Sequence, residues 1–85
     1  MSPALWARVV AHLELSPQHE RLVWLLLSGL QHKEAAAAMG ISPDTLKTYL
    51  NRIGIKLGLK GKHHLIVHVY AMAIALLEQP LKPVD

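Results

Sequence analysis

The chain has no cysteine among its 85 residues. That absence excludes disulfides, thiolate nucleophiles and cysteine-ligated zinc. No long hydrophobic run is present either. The most apolar stretch, Leu65 to Leu77, is interrupted by His68 and falls short of the roughly 20 residues that a membrane span requires. The N-terminal MSPALWARVVAHL lacks a charged start and mixes polar with apolar residues, so it does not read as a secretory signal. A cytoplasmic protein with no membrane association is expected. There are no low-complexity segments and no internal repeats. HExxH, a nucleophile–base pair, a carboxylate dyad and a phosphate-binding glycine loop are all missing, which argues against an enzyme and against a cofactor.

What remains is apolar and mildly basic. The hydrophobic fraction is 52%, enough for one compact domain without staples, and 85 residues allow one domain rather than two. A formal net charge of +3 and a pI near 9.5 lean towards polyanionic partners. Six histidines invite a metal reading. His64 and His68 are four residues apart with His63 adjacent, but zinc needs further ligands and no acidic residue accompanies them. They are read as solvated or interface histidines, with no metal.

Nothing reads as a strand, and five helices can be marked. Ser2 and Pro3 start the first, which runs to about Leu13. Ser16 and Pro17 start the second, which Gly29 stops. The third, about His32 to Met39, is short, alanine-rich and ended by Gly40. Ser42 caps the fourth, Pro43 fits its first position, and Gly58 or Gly61 ends it. The fifth runs from near Lys62 to about Gln79, where Pro80 forbids continuation.

The fourth helix is amphipathic. Leu46, Leu50, Ile53 and Leu57 recur at i, i+4, i+7 and i+11, one apolar stripe. The opposite face carries Asp44, Lys47, Thr48 and Asn51, with Thr45, Tyr49, Arg52 and Lys56 on one flank. Only Gly40 and Ile41 separate the third helix from the Ser42 cap. A short helix, a tight glycine turn and an amphipathic helix make a helix-turn-helix.

From Leu15 to Lys62, without a gap, the chain resembles the LuxR-type (GerE-like) DNA-binding domain. The resemblance is carried by Gly29, Lys33, Glu34, Ala36, Ile41, Ser42, Thr45, Lys47, Ile53, Lys56 and Leu57 at the family's spacing. It implies an all-α fold: a four-helix LuxR-type helix-turn-helix domain over residues 15–80, an added N-terminal helix within 1–14, and a tail at 81–85. It also implies a bacterial-type transcription regulator that sets helix 43–57 in the major groove of double-stranded DNA. Lys47, Thr48 and Asn51 then face bases, while Lys33, Thr45, Tyr49 and Arg52 serve phosphates. Only 14 residues precede Leu15, too few for a receiver or ligand-sensing domain, so a stand-alone module is expected.

Departures from the family pattern are informative. The capping box T-x-x-E becomes Ser16-Pro17-Gln18-His19, which keeps the cap and puts an imidazole where the glutamate would return. Gln31 stands where Ser or Thr usually caps, with Glu34 still able to reach back. Tyr49 replaces a histidine, Lys62 replaces an arginine, and Gly54 sits mid-helix at a cost of about 1 kcal/mol relative to alanine.

The flanking helices raise the question of assembly. Trp6, with Leu5, Val9 and Val10, reads either as core or as a partner site, and Trp24 as a cover for the same added helix. The last helix is apolar on nearly every side, and such a helix needs burial on every side. A homodimer through Leu65, Val69, Met72 and Leu76 is expected, in keeping with the prevalence of twofold pairs. The rival is that the first helix folds over that patch. An alternative function is a protein-interaction module of the same fold that binds another regulator and has little DNA affinity.

Overall fold

The computed structural model describes residues 1–78; Pro80 and the 81–85 tail lie outside the described residues. Five helices follow in order: α1 (Pro3–Leu13), α2 (Pro17–Leu27), α3 (His32–Met39), α4 (Pro43–Leu57) and α5 (Gly61–Glu78). No strand occurs among the described residues.

Three of the five helices start with the same device. Ser2, Ser16 and Ser42 sit in extended backbone, each followed by proline at the first helical position. Their hydroxyls accept the amide protons of Leu5 at 3.1 Å, His19 at 3.3 Å and Thr45 at 3.1 Å. Each bond satisfies one of the orphan donors of a first helical turn. At the start of α3 the Glu34 carboxylate returns to accept the Gln31 amide at 2.8 Å. Gly40 and Gly58 close α3 and α4 in the left-handed conformation. Glu14, which ends α1, is the only non-glycine residue with positive φ among those described, at 52°. Its carbonyl accepts a hydrogen bond from Lys56 Nζ, which ties the α1–α2 junction to the last turn of α4.

All five helices contribute to one core. Val9, Leu22, Val23, Leu26, Leu46, Ile53, Leu65 and Val69 are its largest fully buried side chains. The pair α3–α4 packs within the helix-turn-helix, α2 packs against both of its helices, and α1 packs against α5. Trp6 is buried, with its ring 5.2 Å from that of Trp24.

The α1–α5 contact corrects one expectation. Leu65, Val69 and Leu76, expected at a dimer interface, are buried in the chain's own core, and Met72 packs against it. The outward stripe of α5 is instead Val67, Tyr70, Ile74 and Leu77, exposed to between 45% and 68%. A helix apolar all round has no periodic signal to say which stripe turns inward, and here the surface offered by α1, α2 and α4 decides it. So α1 does fold over α5, and an apolar stripe is still left in solvent.

Candidate nucleic-acid interface

Burial of Leu46 and Ile53 sets the rotation of α4 about its axis. The opposite side, with Asp44, Lys47, Thr48, Asn51 and Arg52, is thereby exposed. The Thr48 hydroxyl donates to the Asp44 carbonyl at 3.2 Å, which fixes its rotamer and leaves a methyl and oxygen lone pairs facing out. Ser42 donates to Thr45 Oγ1 at 2.9 Å while accepting the Thr45 amide. That pairing leaves the half-buried Thr45 hydroxyl proton for an acceptor outside the protein. Lys33 is exposed in the first turn of α3. Lys47, Thr48, Asn51 and Arg52 thus share the exposed side of one helix, with Lys33 on its neighbour.

Tyr49 is half-buried. Its ring lies 5.9 Å from that of His19 and lines a hollow of about 350 Å³ with Pro17, Gln18, Arg21, Met39 and Ile41. It therefore bridges the start of α2 and the turn of the motif. His19, the residue that replaces the capping glutamate, has its pKa lowered. Partial burial is the main cause, and the positive charges of Lys56 and Arg52 add to it. An imidazole held neutral avoids placing a cation at the positive end of α2.

A further group was not visible from helix periodicity. Lys47, Leu50, Asn51 and Gly54 line a groove of about 390 Å³ whose far wall is Leu59 and Lys60 from the α4–α5 loop, with Gly61 at the start of α5. Exposed Lys60 thus joins Lys47 and Asn51 at one cleft. The loop is held close by two hydrogen bonds: the Leu59 amide to the Gly54 carbonyl at 2.8 Å, and the Lys60 amide to His64 Nδ1 at 3.0 Å. Gly54 makes this possible, because a Cβ there would lie 2.8 Å from the Leu59 carbonyl oxygen. The glycine that looks like a helix defect is where the loop approaches the helix.

The available signal for Lys60 was charge. From Thr45 to Leu77 the chain carries five Lys or Arg residues and no Asp or Glu. Two of the five brace the fold: Lys56 through Glu14, and Lys62, whose Nζ donates to the Leu30 carbonyl at 3.1 Å. Lys47, Arg52 and Lys60 remain exposed. Among the described residues no group of three or more His, Cys, Asp or Glu is placed to hold a metal ion. No helix among them is long and apolar enough to cross a membrane.

Residues 13–69 match the family described as bacterial regulatory proteins, luxR family. The chain belongs to the luxR family. The matched residues take in α2, α3, α4 and the first half of α5, so nearly all of α1 lies outside them. Over 70 residues the chain is 33% identical to the transcriptional activator protein CarR of Pectobacterium carotovorum subsp. carotovorum. That alignment covers 82% of this chain and 28% of the relative, so the chain spans less than a third of that protein's length. No solved structure matches the chain.

Proposed function

We propose that this luxR-family chain is a DNA-binding transcription regulator acting in the cytoplasm, with α4 set in the major groove. The observation that carries the reading is the side of α4 turned from the core, where Lys47, Thr48 and Asn51 stand exposed together. The major groove admits a helix and presents a distinct donor–acceptor pattern for each base pair. Asn51 can bond adenine bidentately, Lys47 can donate to guanine, and Thr48 can present its oxygen or its methyl. Lys33, Thr45, Tyr49 and Arg52 serve phosphates in this reading, and Lys60 joins them from the loop. The description of the relative as a transcriptional activator supports the regulatory role.

Assembly is part of the proposal. The stripe Val67, Tyr70, Ile74 and Leu77 is an exposed apolar patch of the kind that marks an interaction surface. Pairing two such stripes about a twofold axis would set two α4 helices about one DNA turn apart and select a roughly palindromic operator. The same stripe favours the second reading, an interaction module that binds another regulator and has weak DNA affinity.

Selection of bound DNA from a random pool, followed by affinity measurements on variants, tests the assignment. Asn51→Ala and Lys47→Ala should each cost about 1–3 kcal/mol on the selected site and relax its sequence. Lys33→Ala and Lys60→Ala should weaken all sequences alike, each reducing the salt slope by about one. Failure to bind random DNA at low salt would favour the interaction module.

A further inference from the structure

An isoleucine stands on the polar face of α4. Ile55 is 75% exposed, more than any other large hydrophobic side chain among the described residues. It does not serve the core, since the inward stripe is supplied by Leu46 and Ile53 with Leu50 and Leu57 packed beside them. Nor is it part of the apolar patch of α5: the other exposed large hydrophobics are Met1, Trp24 and the four α5 residues. Helix propensity does not explain it, because a β-branched side chain is a poorer helix former than lysine, arginine or glutamate. Its register is specific. Asp44, Thr48, Asn51 and Ile55 recur at i, i+4, i+7 and i+11, so Ile55 extends the line of Thr48 and Asn51 by one turn.

We propose that Ile55 reads sequence by packing on the C5-methyl group of a thymine in the major groove. The inference rests on the proposed DNA-reading role of α4. Ile55 has no side-chain donor or acceptor and can serve neither a phosphate nor a polar base edge; the thymine methyl is the major-groove group that an apolar side chain recognises. Four residues at 1.5 Å each place Ile55 about 6 Å along the helix from Asn51. At about 3.4 Å per base pair, the thymine lies one or two pairs from the one read by Asn51.

The experiment uses the full chain and its selected operator, with each thymine replaced in turn by deoxyuridine, which lacks only the methyl. Wild type should lose about fourfold in affinity at one position, the equivalent of one methyl-sized group returned to water. That position should lie one or two pairs from the base at which Asn51→Ala loses discrimination. Ile55→Ala should be insensitive to the replacement and keep both the thermal midpoint and the salt slope of wild type. Ile55→Lys should also be insensitive while steepening the salt slope by about one. Equal deoxyuridine penalties in wild type and Ile55→Ala, or no thymine at that distance, would overturn the proposal while leaving an Asn51-dependent operator standing. A chain that selects no operator would remove the DNA-reading role itself and this inference with it.

Discussion

Replacing Gly54 by alanine sets two effects of opposite sign against each other. By helix propensity alone, alanine inside α4 should stabilise the protein by about 1 kcal/mol. The structure reverses that expectation. The new methyl would meet the Leu59 carbonyl oxygen at 2.8 Å, and the obstacle is backbone, which cannot swing aside as a long side chain would. Relief requires the loop to move away from α4. That movement threatens the 2.8 Å bond from the Leu59 amide to the Gly54 carbonyl, worth about 1 kcal/mol net, and disturbs the packing of half-buried Leu59 on the core. Overpacking of this kind costs about 1–3 kcal/mol, and with the strained bond added the propensity gain is outweighed, so Gly54→Ala should be net destabilising by about 1–3 kcal/mol. In a domain of this size that is a fall of roughly 4–8 °C in thermal midpoint for each kcal/mol. Thermal and urea unfolding followed by circular dichroism measure it, and the affinity for random DNA should fall too, because Lys60 moves with the loop. A rise in midpoint in Gly54→Ala would refute the reasoning.

Two further predictions concern α5 and His19. Val69 is fully buried, so Val69→Asp should unfold the chain by placing an unpaired charge in the core. Ile74→Asp on the outward stripe should leave the melt within about 0.5 kcal/mol of wild type, abolish a dimer seen by sedimentation and weaken operator binding; a wild type that is monomeric at micromolar concentration would refute the dimer. For His19, the folded chain holds the imidazole pKa below its ordinary value of 6.5. The unfolded chain therefore binds more protons as pH falls. The associated stability is fully present above about pH 6.5 and is lost as pH falls through that value towards the lower folded pKa. His19→Gln should flatten the decline in urea midpoint below pH 6.5, and an unchanged pH profile would show that His19 contributes nothing to it.

Local chemistry made the helix boundaries readable. Ser-Pro pairs at 2–3, 16–17 and 42–43 combine a cap with a residue suited to the first helical position, and Gly40 and Gly58 supply the left-handed stops. Helix-period burial of Leu46 and Ile53 likewise made the exposed side of α4 readable. Relations between elements were less accessible. Gly54 reads as a defect until Leu59, five residues on and past the end of the helix, is seen against it. Lys60 lies outside any periodic pattern and reaches the groove only because the loop folds back. In α5 the predicted stripe of Leu65, Val69, Met72 and Leu76 does lie on one side of the helix, but that side meets the chain's own core, formed with α1, α2 and α4.

The segregation of charge along the chain bears on how the protein meets DNA, before any base is read. Residues 45–77 hold five basic side chains and no acidic one, whereas the remainder holds all six acidic residues against four basic ones. In the proposed reading the segment that carries α4 and the loop after it is basic apart from Asp44 at its start, and a polyanion draws that segment first. Approach with α4 leading would then be favoured, which would raise the fraction of collisions that arrive in a usable orientation. That advantage operates over about a Debye length, roughly 8 Å at physiological salt, so it should show as an association rate that falls with added salt.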